Sequence, residues 1–296
     1  MAVRTRGGDS MSANPLFDAP GPRTRRAFRI ANVLALLVLV AGLLWVVLVL
    51  ARRGQLTAAK WEPFLTADVW SDYLLPGIGG TLAAAAWSVV FAGIFGVVLG
   101  LGRLSQSRAV RAVSGAVVEF FRAVPVLLMM VFVYQLLIVY RLVPSDRLAL
   151  TAVVTALTLY NGSVVAELVR SGVLSLPKGQ REAGLSVGLT HGQTLRSVLL
   201  PQGITAMLPA LVSQLVVVVK DSALGYLISY AELLRQAEYV STNFSNYIPA
   251  VMVIAAIFIT INFALSIVAD RLARRLHSRT SGRLTPQAPG LVTSKR

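Results

Sequence analysis

The chain alternates between long apolar runs and short polar segments. A helix needs about 20 apolar residues to cross the roughly 30 Å of hydrocarbon in a bilayer. Six runs meet that requirement: Ile30–Leu50, Pro76–Leu101, Ala112–Tyr140, Leu148–Val169, Ile204–Ile228 and Ile248–Ala269. The pattern predicts an all-α, polytopic membrane protein with about six transmembrane helices.

The runs divide the chain into five regions. Residues 1–28 are rich in Gly, Ser, Pro and Arg and are predicted to be a disordered arm. The first run has no cleavage site behind it, so we interpret it as an anchor rather than a signal peptide. The predicted regions are the arm 1–28, an extra transmembrane helix 29–51, an extracytoplasmic loop 52–75, a five-helix transmembrane domain 76–273 and a basic tail 274–296.

Composition and charge agree with a membrane location. Charged residues make up 14% of the 296 residues, against about 25% in soluble domains. If the N-terminus is cytoplasmic, the predicted cytoplasmic segments hold 20 of the 28 Lys and Arg residues and the external ones hold 6. This asymmetry predicts a cell-membrane protein with both termini inside. It also explains the net charge of +15 without a nucleic-acid partner.

Several kinds of chemistry lack the residues they need. There is no cysteine, and His191 and His277 are the only histidines, so no metal site is predicted. The chain has no Gly-x-x-x-x-Gly-Lys-Ser/Thr loop for nucleotide phosphates, so it is not expected to be an ATPase or any other enzyme.

A polar segment between the fourth and fifth runs, residues 178–201, is the most informative part of the chain; we call it the polar knob. Its pattern predicts two short helices, Lys178–Val187 and His191–Leu200, separated by Gly188. Thr190 and Gln193 have the spacing of a capping box for the second helix, and Pro201 is expected to end it before the next span. Such a bent pair can dock into another protein or can simply link two spans.

The motif Glu182-Ala183-Gly184, followed by Gly188 and by Val198-Leu199-Leu200-Pro201, resembles the EAA loop of type I ABC importer permeases. The one departure is Gly184, where the family usually has alanine. That change costs about 1 kcal/mol of helix propensity.

Further motifs are similar to the polar amino acid subfamily of these permeases, in register from about residue 75 to 276. They include 80–82, 102–105, 119–125, 166–172, 177–180, 201–202 and 220–224. Ser222 and Ala223 depart from the Lys-Asp-Thr-Ser-Leu sequence that is usual in the subfamily. The extra first span and the segment Lys60–Phe64 resemble glutamate-type permeases of actinobacteria.

The resemblance implies a permease subunit of an ATP-driven amino acid importer, with glutamate as the expected substrate and glutamine or another polar amino acid as the alternative. It implies four partners: a dimer of separate ATPase subunits that hold ATP and Mg, a second homologous permease (a paralogue), an extracytoplasmic amino-acid-binding protein, and the bilayer. The implied ATPase-coupling residues are Gly179, Gln180, Glu182, Ala183, Gly184, Gly188, Val198, Leu200 and Pro201.

Polar and charged residues inside the runs either pair between helices or line a solute path. Glu119 with Arg122, and Glu167 with Arg170, have the i,i+3 spacing of local ion pairs. The first interpretation joins these four with Lys220 and Asp221 in one ion network. The second assigns a substrate path to members of the same set. The candidates for either role are Glu119, Arg122, Asn161, Glu167, Gln214, Lys220, Asp221 and Ser222.

Two other classes of function remain as alternatives. A secondary transporter, which works without ATP, would need inverted repeats or broken helices with ion ligands. A membrane enzyme would need a catalytic group that the sequence does not offer. Neither class accounts for the polar knob.

Overall fold

The computed structural model describes residues 21–280, with side chains described at 21, 24–269 and 271. It divides into two compact units, residues 1–57 and 58–296. The described residues form helices and turns, without a strand. The α-helices are α1 Pro22–Arg52, α2 Ala58–Trp61, α3 Ala67–Val69, α4 Leu75–Arg103, α5 Arg108–Ala123, α6 Val126–Val139, α7 Leu148–Leu174, α8 Lys178–Ser186, α9 His191–Thr194, α10 Leu200–Ser222, α11 Leu233–Phe244 and α12 Tyr247–Thr280.

The first unit contains one long helix. α1 has 31 residues and a proline in its first turn, where the missing N–H costs nothing. It begins eight residues before the predicted Ile30, so residues 22–28 of the predicted disordered arm are helical. Residues 1–20 of that arm, and the tail beyond residue 280, lie outside the described residues. At about 1.5 Å per residue, α1 is long enough to cross a bilayer.

The second unit is built around α4, α7 and α10. Glycines on α4 allow its close approach to α7: a Cβ on Gly96 would lie 2.6 Å from Val165, and one on Gly100 would lie 3.0 Å from the Ala166 carbonyl. Small residues at such contacts let apolar helices pack without a hydrophobic driving force. At Gly93, a Cβ would meet nothing within 4 Å.

The predicted span Ala112–Tyr140 is not one continuous helix. The chain bends by 100° between α5 and α6. Pro125 has no N–H to continue the helix, and its ring favours extended backbone at the preceding residue, where Val124 has φ −80° and ψ 127°. Five described helices are long and apolar enough to cross a membrane, or six if the bent pair counts as a span.

The prediction that Pro201 ends the second helix of the polar knob is wrong. α9 continues through a π-helical turn, Leu195–Leu199, directly into α10. The N–H of Leu200 donates to the Leu195 carbonyl five residues back. Pro201 lies in the first turn of α10, and the wider turn before it tolerates the missing donor.

At the other end of the bundle, two segments interlock; we call them the junction (residues 58–81 and 229–246). An apolar cluster joins them to α12, with Phe64, Val69, Leu74, Leu233, Val240 and Ile254 all buried. The Lys60 ammonium donates to the Ser245 carbonyl, and Asn246 Nδ2 donates to the Lys60 carbonyl at 3.1 Å. Within the predicted loop 52–75, residues 58–75 are therefore largely short helical turns that pack against α11 and α12.

Candidate functional site

The polar knob is held rigid by two local motifs, which together span residues 184–193. α8 ends in a Schellman motif: Leu189 N–H donates to the Gly184 carbonyl at 3.2 Å, and Gly188 N–H donates to Leu185 at 3.0 Å. Gly188 has φ +87°, which favours glycine. Thr190 then opens α9, and the predicted capping box with Gln193 is present. The bend therefore has few conformations available to it.

Gly184 is where α8 and α9 touch. A Cβ there would lie 2.6 Å from Thr194 Cγ2 and 3.0 Å from its hydroxyl oxygen. Thr194 is 1% exposed, so it has little room to move away. This contact explains why glycine replaces the usual alanine at position 184. The Thr194 side chain occupies the volume that an alanine methyl group would take.

The outer surface of α8 is largely exposed. Gly179, Gln180, Glu182 and Ala183 are exposed, as are Gly188 and Pro201, while Val198 and Leu200 are partly buried against the knob. The Glu182 carboxylate has no hydrogen bond or ion pair to any other described residue. This surface is available for contact with a second protein.

The base of the knob joins it to two long helices. Gly172 of α7 and Gly203 of α10 lie back to back: a Cβ on Gly203 would lie 2.8 Å from the Val173 backbone nitrogen. Gln202 Nε2 also donates to Gln180 Oε1 at 3.1 Å. Displacement of the knob would therefore act on α7 and α10 together. Sequence reasoning missed Gly203, and only the crossing of α7 and α10 reveals it.

Four of the six predicted network residues do form ion pairs, around an arginine that the sequence did not indicate. Arg103, at the end of α4, lies 3.2 Å from Glu119 Oε1 and 2.7 Å from Glu167 Oε2. The contact with Glu167 is an ion pair whose atoms are not aligned for a hydrogen bond. Glu119 also lies 3.8 Å from Arg122, and Glu167 lies 2.9 Å from Arg170. The network thus fastens α4, α5 and α7 at one end of the bundle.

Lys220 and Asp221 do not join this network. Within the described residues, neither side chain forms a hydrogen bond or an ion pair with another helix. They lie at the end of α10 that is remote in sequence from the knob. The prediction that all six form one network is therefore wrong, because the two ends of α10 lie at opposite ends of the span.

Asn161 and Gln214 meet inside the bundle, between α7 and α10. Gln214 Nε2 donates to Asn161 Oδ1 at 2.6 Å, and Asn161 Nδ2 donates to its own helix at Leu157, at 2.9 Å. The pair lines a cavity of about 210 Å³ whose other walls are apolar side chains and Gly93. Asn161 is fully buried, so this amide pair is the polar centre of the cavity.

Other polar candidates lie away from this cavity. Ser163 donates to the Leu159 carbonyl at 2.8 Å, and Ser222 donates to Val219 at 2.8 Å, so both hydroxyls are satisfied by their own helices. No charged side chain lines the cavity. Within the described residues, there is also no group of three His, Cys, Asp or Glu that could hold a metal ion.

The junction contains a buried carboxylate that sequence reasoning did not single out. Glu232 is fully buried and caps α11, accepting from the N–H groups of Leu234 and Arg235, each at 2.7 Å. Burial raises the pKa of Glu232 to about 7, and the two N–H groups oppose that rise only in part. A polar residue preceding a helix is the signal that could have found it.

Two hydrogen bonds connect the segment around Tyr230 to the first turns of α4. The Tyr230 hydroxyl donates to the Gly80 carbonyl at 2.7 Å, and Leu233 N–H donates to Thr81 Oγ1 at 3.1 Å. Burial, followed by the nearby Glu232 charge, raises the pKa of Tyr230 to about 12, so the hydroxyl keeps its proton. Gly80 is essential here, since a Cβ would meet the Ala231 carbonyl far inside the 3.0 Å limit of real contacts.

This architecture has relatives among known transport proteins. The chain is 49% identical over 229 residues to a glutamate transport system permease protein of Corynebacterium glutamicum, covering 77% of this chain and 84% of that one. It is 32% identical over 215 residues to a probable glutamine ABC transporter permease protein of Bacillus subtilis, covering 71% and 94%. These relatives and the apolar helices indicate a multi-pass plasma-membrane protein.

A solved structure agrees with the sequence relatives. The crystal structure of an amino acid ABC transporter with histidines matches with a TM-score of 0.65 and 30% identity, over 72% of this chain and 98% of that one. The family model for the binding-protein-dependent transport system inner membrane component matches residues 90–278, which include the polar knob, the ion network and the amide-lined cavity. The chain therefore belongs to the family of inner membrane components of binding-protein-dependent transport systems.

Proposed function

We propose that the chain is a permease subunit of an ATP-driven amino acid importer and that the imported amino acid is glutamate. The single observation that carries the proposal is the polar knob. It is a hydrogen-bonded bend whose exposed Glu182 carboxylate has no partner among the described residues, and its base packs against α7 and α10. A surface-lying linker would not need the Schellman motif, the capping box and the glycine crossing together. The names of the relatives support an amino acid as substrate, and the 49% identical one supports glutamate.

The knob is the proposed contact with a separate ATPase. In this assignment both termini and the knob are cytoplasmic, in keeping with the excess of Lys and Arg on that side. A dimer of ATPase chains holds ATP and Mg and receives the exposed side of α8, where Glu182 is available as a charged anchor. Closure of the ATPase dimer moves α8 and α9, and the Gly172–Gly203 crossing transmits that movement to α7 and α10.

The amide-lined cavity is the proposed part of the substrate path. Asn161 and Gln214 can each offer both donor and acceptor atoms to an amino acid. Yet about 210 Å³ is below the range of about 300–1,000 Å³ typical of ligand pockets, and the cavity has no charge to replace a zwitterion's hydration. The full path therefore requires a second, homologous permease, here proposed to be a paralogue, and substrate delivered from outside by a binding protein.

The alternative of a secondary transporter has less support. It would place ion ligands where a span is broken. The break between α5 and α6 consists of Val124 and Pro125, whose side chains offer no ligand.

Reconstitution tests the proposal. The full chain, co-expressed with the genes beside it, would be purified with its bound subunits and placed in liposomes with the external binding protein. We expect glutamate uptake that requires ATP hydrolysis and exceeds glutamine uptake. Uptake that continues without ATP would overturn the importer assignment, whereas ATP-driven uptake that favours glutamine would overturn only the choice of substrate.

A further inference from the structure

Four arginines line one cavity of about 360 Å³ near the base of the polar knob; we call it the arginine cavity. Arg103 comes from α4, Arg111 from α5, Arg170 from α7 and Arg181 from α8. The rest of the lining is Leu104, Ser105, Gly115 and Leu174. Four separate elements thus direct guanidinium groups to one concave surface.

The cations in this cavity are not fully balanced by carboxylates of the described residues. Arg103 and Arg170 share Glu167, and Arg103 also reaches Glu119. Arg111 donates only to the Ser105 carbonyl, at 2.7 Å. Arg181 has no hydrogen-bond or ion-pair partner among the described residues. The four guanidinium groups therefore share two carboxylates, and the remaining positive charge attracts an anion with several acceptor oxygens.

The position of the cavity along the spans limits the kind of anion. Arg103 is the last residue of the candidate span Ala67–Arg103, and Arg170 lies one turn before the end of Leu148–Leu174. Chain at the end of a membrane span lies at the level of the lipid headgroups. The excess of Lys and Arg further places this end at the cytoplasmic leaflet.

A larger, partly apolar groove adjoins the arginines. This second cavity, of about 620 Å³, shares Leu104, Ser105, Leu174 and Arg181 with the arginine cavity. Leucine and valine provide half of its other lining residues, and the polar side chains among the rest are Gln106, Lys178, His191 and Thr194. Leu174 is 60% exposed, and it connects the two cavities. A free phosphate ion would use the arginines alone, but an amphiphile would use the arginines and the groove together.

We propose that the arginine cavity binds the phosphate headgroup of an anionic phospholipid and that the adjoining groove receives part of its acyl chains. The guanidinium forks of Arg111 and Arg181 hold the phosphate oxygens, because planar guanidinium matches phosphate in two-bond geometry. The bound lipid bridges α5 and α8, and so ties the broken helix to the polar knob. This site is separate from the amide-lined cavity that is proposed as part of the substrate path.

Native mass spectrometry of the intact complex tests the proposal. The full chain, with its co-purified subunits, would be exchanged into nanodiscs or micelles containing phosphatidylglycerol or phosphatidylcholine as the probe. We expect phosphatidylglycerol to remain bound and phosphatidylcholine to be lost. Equal retention of the two lipids would overturn the proposal, as would displacement of phosphatidylglycerol by millimolar inorganic phosphate, since that result would identify a site for a free anion.

Two variants locate the site by different means. Arg181→Gln removes a charge, and Gly115→Leu fills the cavity while keeping every arginine, since a Cβ on Gly115 meets nothing within 4 Å. We expect Arg181→Gln to weaken phosphatidylglycerol binding about fivefold, the factor that one cation contributes at an anionic surface. We expect Gly115→Leu to weaken binding by filling the space that the headgroup would occupy. Arg147→Gln, the same charge change at an exposed residue between α6 and α7, should leave binding unchanged.

The use of two variants keeps the test decisive even if one of them fails to fold. If Arg181→Gln prevents assembly of the complex, Gly115→Leu decides the outcome. Unchanged lipid retention in Gly115→Leu, or an equal loss in Arg147→Gln, would overturn the site. Lipid retention does not depend on transport, so this result stands apart from the test of the importer assignment.

Discussion

The polar knob and the junction are both polar interruptions of an apolar chain, yet they treat their carboxylates in opposite ways. In the knob, Glu182 is exposed and has no partner among the described residues, although the bend beneath it is fixed by local hydrogen bonds. In the junction, Glu232 is fully buried and holds the first turn of α11. A surface built for another protein leaves its polar groups available, whereas a structural joint uses them internally. Exposure, rather than residue type, separates the two roles.

The largest expected effect lies in the junction. Gly80→Ala places a methyl group against the Ala231 carbonyl, and neither backbone can move freely because Tyr230 and Thr81 tie them together. We expect a loss of about 3 kcal/mol or more in stability, seen as failure to recover a monodisperse complex in size-exclusion chromatography. Gly79→Ala is the matched control, since a Cβ there meets nothing within 4 Å. Similar recovery of both variants would contradict the interlock.

A smaller effect tests the buried carboxylate. The pKa of Glu232 rises from about 4.5 in the unfolded chain to about 7 in the folded one, so its protonated form is favoured by folding. Its contribution to stability is complete below about pH 4.5 and is lost as the pH rises through 7. We expect thermal stability of the complex to fall by about 2 kcal/mol between pH 5 and 8, and this slope to be reduced in Glu232→Gln.

The control for that experiment is Glu238→Gln on the same helix. Glu238 is 40% exposed and pairs with Arg235, so its neutralisation should leave the pH slope close to that of the unmodified chain. Parallel slopes for the unmodified chain and Glu232→Gln would show that the junction does not titrate in this range.

Glu182→Ala tests the exposed carboxylate of the polar knob. Because the carboxylate has no partner within the described residues, we expect stability to change by less than about 0.5 kcal/mol. Uptake should nevertheless fall about tenfold, with ATP hydrolysis uncoupled from transport or the ATPase lost on purification, as for an interface anchor. Glu62→Ala removes an exposed carboxylate from the junction and serves as the control. Normal uptake and normal ATPase recovery in Glu182→Ala would remove the basis for the coupling assignment.

The smallest effect concerns packing inside the knob. Gly184→Ala gains about 1 kcal/mol in helix propensity but crowds Thr194, and overpacking costs about 1–3 kcal/mol. We expect a net loss of about 1 kcal/mol in the thermal stability of the complex. Thr194→Ser removes the crowding methyl group, so the double variant should recover that loss. If Gly184→Ala alone is as stable as the unmodified chain, the explanation of the glycine is wrong.

The membrane spans and the knob's capping motif could be predicted from sequence because their causes are local. A run of apolar residues specifies a span wherever it lies, and the Thr190–Gln193 capping box depends on residues three apart. The break at Pro125 also has a local cause, because proline disfavours helical backbone at the residue before it. The apolar run Ala112–Tyr140 nevertheless favoured the prediction of one continuous helix.

Other features depend on residues distant in the chain. Arg103 joins the ion network only because α4 and α5 bring it beside Glu119 and Glu167. Gly80 is needed because a Cβ there would meet the carbonyl of Ala231, in a segment about 150 residues away.

The sequence by itself determined that this protein spans a membrane, which segments are apolar enough to do so, and where a capped polar bend interrupts them. These properties follow from transfer free energies and local hydrogen bonds, which do not depend on distant neighbours. The tertiary structure alone decided which carboxylate is buried, which glycines permit a crossing, and where four arginines meet. Burial and charge pairing depend on which helices lie side by side, and a linear pattern of residues does not contain that information.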